Sequence, residues 1–311
     1  MLKPDLRTAI AGGLVIARVF EEAGLPEGLL HVLPGGSEAG QALCMDPNIP
    51  MISFTGSTET GRRVAELAGK HLKKVTLELG GKNSILILDD ADLDLAASNV
   101  AWSAWLHQGQ ICMSAGRVLV HEKLASELVQ RLIEKANRLP VGDPNTEQVA
   151  LGPLIDQRQL ERVDSIVQDS IKQGAELRAG GTHRQLFYSP TVLEKVTPRM
   201  RAFREELFGP IACVTAFNSD NQAIALASDT EYGLSAGVIS GSVERALAVA
   251  RQLPVGMTHI NDQPVDDEAG VPFGGIGSSG NGNRHGGPSN WDEFTEWRWL
   301  TIQDKPHPYP F

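Results

Sequence analysis

Two side chains in the first half of the chain have types and surroundings that could support covalent catalysis. Cys112 lies among mostly small residues at positions 109–117, and Glu78 ends an apolar run that is followed by two glycines. A cysteine thiolate is a strong nucleophile, and a well-placed carboxylate is a general base. Each residue also has an ordinary structural role, since a lone cysteine is often a buried thiol and a glutamate at a strand end often faces water. Because one predicted strand and one predicted helix separate them in sequence, a shared site is favoured.

The segments around these two residues predict the elements that position them. Apolar residues at helical spacing predict a helix over 92–108, and residues 117–121 predict a strand. Cys112 therefore falls in a tight helix-to-strand connection, whose free backbone N–H groups could bind a substrate oxygen. Residues 73–78 predict a buried strand with Glu78 at its carboxyl end, where α/β proteins place their chemistry.

Helices and strands alternate at short spacing along the rest of the chain, which predicts a parallel, doubly wound α/β sheet. The expected helices cover residues 6–23, 39–43, 62–68, 123–138, 156–172, 221–228 and 243–252, and the expected strands cover residues 29–33, 49–54, 84–88 and 211–217. Residues 274–288 are rich in glycine and are expected to form a loop. Residues 296–302 alternate polar and apolar side chains like an exposed strand, which could pair with another chain.

The composition excludes several classes of partner. The chain has 311 residues, a net charge of −10 and a pI near 5.3, so it lacks the basic surplus that nucleic acid or an anionic membrane requires. Its three cysteines and eight histidines show neither disulfide nor metal-ligand spacing, and no metal is expected. No apolar run approaches the roughly 20 residues of a membrane span, and no cleavable leader is recognised. These features predict a cytoplasmic protein.

A turn at residues 55–61 has the composition of a phosphate-binding site. It contains Gly56 and Ser57 between a predicted strand and a predicted helix, where free N–H groups and the helix dipole attract an anion. The pattern is neither a P-loop nor a G-x-G-x-x-G motif, and Ser57 could equally be a simple helix N-cap.

Four segments together resemble the signatures of the aldehyde dehydrogenase superfamily, in the family's order. They are residues 77–82, 109–112, 205–210 and 272–275, and the similarity runs from about Leu2 to the C-terminus. Residues 3–8 and 259–262 most resemble the branch that oxidises aromatic aldehydes such as benzaldehyde and vanillin. The resemblance implies part of a Rossmann-like cofactor domain at 1–79, an α/β catalytic domain at 80–273, and a C-terminal loop and oligomerisation strand at 274–311.

The resemblance also implies roles for individual residues. Cys112 would attack the aldehyde and Glu78 would activate water to hydrolyse the resulting thioester, with the pKa of Cys112 lowered by local dipoles or by bound cofactor. NAD or NADP would be held by a further set of residues and the aldehyde passage lined by an aromatic residue: Lys3, Gly56, Ser57, Leu79, Glu206 and Phe208 for the cofactor, and Phe273 for the substrate. Family members assemble as dimers or tetramers, which implies a homo-oligomer.

Two departures from the family pattern accompany these matches. Leu6 stands where NAD-selective members carry a ribose-binding glutamate, and with Arg7 adjacent this predicts use of both NAD and NADP. The chain also begins at what resembles the middle of the cofactor domain, without the family asparagine that completes the oxyanion site. We therefore expect an N-terminally truncated protein in which the chemistry is encoded but weak or lost.

Two other functions remain open from the sequence. Cys112 could pair with His107 in a Cys/His thioester hydrolase or acyltransferase, which would need no nicotinamide. The chain could also be a catalytically impaired fragment that acts only as an interaction partner of a longer relative.

Overall fold

The computed structural model describes all 311 residues and contains one seven-stranded sheet and three two-stranded sheets. The ten α-helices are α1 (Val15–Glu22), α2 (Ser37–Met45), α3 (Thr58–Lys70), α4 (Leu93–Trp105), α5 (Glu122–Arg138), α6 (Gln157–Lys172), α7 (Arg201–Arg204), α8 (Asp220–Ser228), α9 (Val243–Ala250) and α10 (Ser289–Phe294). The thirteen strands are β1 (Met51–Thr55), β2 (Lys74–Glu78), β3 (Ser84–Ile87), β4 (Arg117–His121), β5 (Glu176–Ala179), β6 (His183–Arg184), β7 (Phe187–Tyr188), β8 (Thr191–Glu194), β9 (Ile211–Phe217), β10 (Tyr232–Gly233), β11 (Ser235–Ile239), β12 (Met257–Ile260) and β13 (Ile276–Gly277). The predicted alternation of helix and strand is confirmed.

The larger sheet has seven strands in the order β12-β11-β3-β4-β9-β8-β5. All of its neighbouring strands are parallel except the β5–β8 pair at one edge. Its interior strand β3 sends Ile85 and Ile87 into one hydrophobic cluster and Leu86 into a second cluster on the other side. Both faces are therefore covered, as expected of a parallel sheet whose strands are almost continuously apolar.

One of the two-stranded sheets consists of β1 and β2, which run parallel with Thr55 opposite Glu78. A segment near the C-terminus, which includes Ser279 and Gly280, also pairs with β2. Glu78 forms an antiparallel bridge with Gly280, and the Leu79 N–H donates to the Ser279 carbonyl. The loop predicted at 274–288 thus packs along β2. The division of the chain at residues 79 and 273 stays a prediction.

One predicted strand is absent. Residues 29–33 form a single isolated bridge, between Leu2 and Val32, because a longer strand would need more backbone partners than this segment finds. Residues 296–302 pair with no part of this chain, and Trp297 and Trp299 are 96% and 93% exposed there. Their pairing with another chain stays a prediction.

The helix predicted over 6–23 is present but irregular at its start. It begins as a 3₁₀ turn at Leu6–Thr8, continues as a π-helix at Ile10–Leu14 and becomes α1. The helix predicted over 92–108 ends earlier than expected, at Trp105. None of the helices is both long enough and apolar enough to cross a membrane.

Candidate active site

Cys112 lies in the connection between α4 and β4, as predicted. The helix ends early because His107, Gln108 and Gly109 take left-handed backbone conformations with φ of 48°, 59° and 66°. A Cβ atom on Gly109 would lie 2.1 Å from the Gly209 carbonyl oxygen. Glycine at this position therefore lets the cysteine loop pack directly against the segment that follows Glu206 and Phe208.

Asn83 fixes the backbone on the other side of the cysteine loop. Its Nδ2 donates to the carbonyl oxygens of Cys112 at 2.8 Å and Ser114 at 3.0 Å. Its Oδ1 accepts from the Ser235 N–H at 3.1 Å. Because all three partners are backbone groups, the position of the half-buried Cys112 is set by the scaffold.

The environment of Cys112 opposes ionisation of its thiol. Burial raises the pKa of Cys112 to about 11, and the carboxylates of Glu206 and Glu78 act in the same direction. The backbone N–H groups of Met113 and Cys112 lower the pKa, but their effect is smaller. Local dipoles alone therefore do not lower the pKa of the Cys112 thiol below its ordinary value.

Glu78 occupies the carboxyl end of β2, as predicted, and is only 9% exposed. Its Oε1 accepts from Asn283 Nδ2 at 3.3 Å, while its buried Oε2 has no hydrogen-bond partner. Burial raises the pKa of Glu78 to about 7, against the smaller opposing effects of the Asn283 hydrogen bond and the Arg284 charge. A carboxylate that titrates near neutral pH has the properties of a general base.

The turn at residues 80–82 joins Glu78 to Cys112 and to Glu206. The Gly81 N–H donates to Glu206 Oε1 at 3.0 Å. A Cβ on Gly81 would lie 2.4 Å from the Cys112 carbonyl oxygen, and a Cβ on Gly80 would lie 2.5 Å from Glu206 Oε2. The two glycines therefore allow the nucleophile loop and the Glu206 carboxylate to approach this turn from both sides.

Buried Arg117, at the start of β4, fixes the backbone of the turn at residues 80–82. Its guanidinium donates twice to the Lys82 carbonyl, at 2.8 and 3.0 Å, and also to the carbonyls of Leu226 and Ala227, each at 2.9 Å. A guanidinium group can donate to several carbonyl oxygens at once because its N–H groups lie in one plane.

Glu206 and Phe208 lie beside the cysteine loop, as the resemblance implied. Phe208 has a left-handed backbone with φ of 53°, and Gln159 Nε2 donates to the carbonyls of Leu207 and Phe208, both at 3.0 Å. A small cleft lies between the two loops and is lined by Gly81, Ile111, Glu206 and Phe208, among others. Burial raises the pKa of Glu206.

Gly56 and Ser57 are exposed at the N-terminus of α3. Ser57 Oγ accepts from the Thr60 N–H at 3.3 Å, so Ser57 is a helix N-cap. The first backbone N–H groups of α3 have no acceptor within the helix and can donate hydrogen bonds to an anion.

The other residues predicted to bind cofactor are less directly placed. Lys3 lies beside Gly40, donates to the Pro4 carbonyl at 2.8 Å, and has no hydrogen bond to Gly56 or Ser57. Buried Leu79 packs its side chain against Gly61 of α3.

Arg7, which the sequence associated with NADP, is engaged in ion pairs. Its guanidinium contacts Asp5 at 2.9 Å and Asp156 at 2.8 Å. A bound 2′-phosphate would have to compete with these two carboxylates for Arg7.

Phe273 is half-buried, and its backbone forms two hydrogen bonds with that of His285, with N to O distances of 2.5 and 2.8 Å.

Sequence reasoning missed His285, as well as Asn83, Asn283, Arg284 and the role of Arg117. Asn283, Arg284 and His285 belong to a glycine-rich loop whose composition predicts only irregular structure, so no periodicity could mark them.

His107 is exposed, and its ring forms no hydrogen bond with Cys112. The structure therefore does not form the Cys/His pair that a thioester hydrolase would need. It also contains no group of three or more His, Cys, Asp or Glu side chains arranged to hold a metal ion.

The chain is similar in sequence to known aldehyde dehydrogenases. The aldehyde dehydrogenase family profile matches residues 1–300. The chain is 54% identical over 312 residues to vanillin dehydrogenase of Amycolatopsis sp. and 49% identical over 311 residues to an NAD(+) benzaldehyde dehydrogenase of Pseudomonas putida. Each alignment covers 100% of this chain and 64% of the relative. The chain therefore spans about 64% of the length of these curated relatives.

Solved structures show the same fold. The crystal structure of an NAD-dependent aldehyde dehydrogenase from Sinorhizobium meliloti matches with a TM-score of 0.95 and 38% identity, over 100% of this chain and 62% of that chain. A salicylaldehyde dehydrogenase from Pseudomonas putida G7, complexed with salicylaldehyde, matches with a TM-score of 0.93 and 41% identity, over 97% and 63%. The predicted fold class is confirmed, and the chain belongs to the aldehyde dehydrogenase family.

Proposed function

We propose that this chain oxidises an aromatic aldehyde to the carboxylic acid with NAD or NADP, using Cys112 as nucleophile and Glu78 as general base. The observation that carries the proposal is the turn at residues 80–82, which directly follows the buried Glu78 carboxylate of pKa about 7 and contacts both the Cys112 loop and Glu206. The named activities of the vanillin and benzaldehyde dehydrogenases support the aromatic substrate.

Two groups of residues would hold the cofactor. The free N–H groups at the start of α3, next to Gly56 and Ser57, would bind the pyrophosphate. The Glu206 carboxylate and Phe208, which face the cleft beside Cys112, would hold the nicotinamide ribose and ring. When bound, the nicotinamide supplies an acceptor for the hydride that leaves the aldehyde carbon.

The chemistry of the chain's own residues has two halves. Glu78 first takes the proton of Cys112 and releases it to solvent, and Sγ attacks the aldehyde carbon to form a thiohemiacetal oxyanion. The Cys112 N–H is one donor for the oxyanion. Loss of hydride leaves a thioester on Sγ. Glu78 then takes a proton from water as its oxygen attacks the thioester carbon, the C–S bond breaks, and the acid leaves.

The raised pKa of Cys112 makes Glu78 important in both halves. The thiol holds its proton at neutral pH unless a base removes it, and the only carboxylates that influence it are Glu78 and Glu206. Because Glu206 accepts the Gly81 N–H, Glu78 is the freer base.

The test is absorbance of the reduced nicotinamide, measured with benzaldehyde or vanillin and with either NAD or NADP. We expect turnover that is abolished in Cys112→Ala and reduced at least about 100-fold in Glu78→Gln. Unchanged turnover in Cys112→Ala would overturn the mechanism.

A non-catalytic role is the second candidate, because the chain spans about 64% of its relatives' length and exposes Trp297 and Trp299. A well-folded chain without turnover, which nevertheless binds a longer relative, would establish that role instead.

A further inference from the structure

A polar network behind Glu78 leads from the general base towards the surface. Asn283 Nδ2 lies 3.3 Å from Glu78 Oε1 and 2.8 Å from His285 Nε2. His285 Nε2 itself lies 4.0 Å from Glu78 Oε1. The Glu78 side chain is 11% exposed and the His285 side chain 27% exposed, so the imidazole is the member of this network in contact with solvent.

Asn283 determines which nitrogen of His285 carries the proton. Its Oδ1 accepts the Leu77 backbone N–H at 3.0 Å, which fixes the orientation of the amide. The Nδ2 group can only donate, so its two hydrogens point at Glu78 Oε1 and His285 Nε2. His285 Nε2 must therefore be an acceptor, and its ring proton must be on Nδ1.

The ring is held in place by two further contacts. The His285 backbone bridges Phe273, and its ring meets the edge of Phe294 with centroids 5.4 Å apart. The ring therefore holds Nε2, which accepts from Asn283 Nδ2, at a fixed position 4.0 Å from Glu78 Oε1.

We propose that His285 is a positioning residue that receives the proton which Glu78 takes from water. The inference rests on the proposed function, since that proton arises in thioester hydrolysis. A movement of Glu78 Oε1 by about 1 Å, or one bridging water, brings the acceptor within hydrogen-bonding distance.

Glu78 becomes a neutral acid when water attacks the thioester, and its O–H bond then breaks as an N–H bond forms at His285 Nε2. This regenerates the Glu78 carboxylate and leaves an imidazolium. The hydrogen bond that Nε2 accepts from Asn283 Nδ2 is lost in the same step and forms again when the imidazolium is deprotonated. The imidazolium loses a proton to solvent, and exchange with solvent restores the Nδ1–H tautomer.

Other charged groups near this network come from three elements. Arg284, on the same loop, donates to the Asn283 carbonyl at 2.7 Å and acts on Glu78 as a cation. Cys112 faces Glu78 from the α4–β4 connection. On the β2 side, Lys74 forms an ion pair with Glu293 of α10, the helix that carries Phe294. None of these groups offers an unprotonated nitrogen, which only His285 does.

The first test does not require turnover. Long-range ¹H–¹⁵N spectra of the whole chain, labelled at histidine, report the tautomer of each ring. We expect His285 as the Nδ1–H tautomer when neutral, and a shifted His285 Nε2 resonance in Glu78→Gln, because the ring then lies beside an amide in place of a carboxylate. His183, which stacks on Tyr188 elsewhere, is the internal control, and its resonances should not shift. An Nε2–H tautomer, or a His285 Nε2 resonance unaffected by Glu78→Gln, would overturn the proposal.

The second test uses His285→Phe, which keeps an aromatic ring against Phe294 but removes the nitrogens. We expect kcat with benzaldehyde to fall roughly 10-fold near neutral pH with little change in KM, and added imidazole to restore it. His183→Phe is the matched control. A loss that imidazole does not rescue would reduce His285 to a packing residue. A wild-type chain without any turnover would contradict the proposed function, while the spectra would still decide the role of His285.

Discussion

At the scale of single residues, the site concentrates two acidic groups and a thiol in one poorly solvated place. Burial raises the pKa of Glu78 to about 7 and that of Cys112 to about 11. The carboxylates that favour catalysis therefore make the thiol harder to ionise. In the proposed mechanism, Glu78 therefore removes the proton of the Cys112 thiol as well as that of water.

The buried carboxylate of Glu78 should cost stability, and the cost should depend on pH. Its pKa is about 7 in the folded chain and near the ordinary 4.5 when unfolded. The unfolded chain therefore releases this proton first, so the contribution of Glu78 to stability is full below pH 4.5 and is lost as pH rises through about 7. The loss amounts to at most about 3 kcal/mol.

Glu78→Gln should remove that loss. The amide can accept the Asn283 hydrogen bond as Oε1 does now. We expect the variant to be more stable than wild type in urea unfolding at pH 8 by about 1–3 kcal/mol, with the difference vanishing below pH 5. Glu66→Gln, at an exposed site on α3, is the control and should change little at either pH. A wild type whose stability does not fall between pH 5 and 8 would contradict the raised pKa.

At the scale of elements, the site depends on the close approach of two loops. Gly109 has a φ of 66°, and a Cβ there would lie 2.1 Å from the backbone oxygen of Gly209. Gly109→Ala should therefore both strain the backbone and push the Glu206–Phe208 segment away from Cys112. We expect a loss of at least about 2 kcal/mol in urea unfolding, together with a loss of turnover.

Gly69→Ala is the matched control for this substitution. Gly69 lies within α3, and a Cβ there would meet no atom within 4 Å. Alanine should stabilise the helix by about 0.5–1 kcal/mol and leave turnover unchanged. Equal effects of the two substitutions would mean that the approach of the loops does not matter.

Most of the elements could be predicted from the sequence because their signals are local. Apolar periodicity marks α5 and α6, and the continuous apolar run of β9 marks a strand buried on both faces. The strand expected at 29–33 does not form for a non-local reason, since a strand requires a neighbour that the sequence of the segment does not reveal.

The same distinction divides the predicted site. Cys112, Glu78, Glu206 and Phe208 could be identified because each sits in a short, recognisable signature, and the structure brings them around one turn. Asn283 and His285 could not be identified, since they reach Glu78 across a sequence separation of about 200 residues, through a loop of irregular conformation.

At the scale of the whole molecule, a large apolar surface remains uncovered in the single chain. Trp297, Trp299 and Ile302 are 96%, 93% and 77% exposed in the C-terminal segment. Burying such side chains contributes roughly 25 cal/mol per Å², which favours association. We therefore expect a homo-oligomer in which this segment pairs with another copy.

Analytical ultracentrifugation tests the association. The chain should sediment as a dimer or larger species, and a chain that ends after Thr295 should shift towards the monomer. Trp297→Ser with Trp299→Ser should have a similar effect without shortening the chain. A monomeric wild type would contradict the predicted oligomer.

The most direct test of the central claim is the mass of the intermediate on Cys112. Glu78→Gln, mixed with benzaldehyde and NAD in alkaline buffer, should form the thioester but hydrolyse it slowly. Peptide mass spectrometry after rapid acid quench should then find one benzoyl group on the peptide that contains Cys112, and none in Cys112→Ala with Glu78→Gln. Reduced nicotinamide without a benzoyl group on Cys112, or a benzoyl group on another residue, would contradict the account.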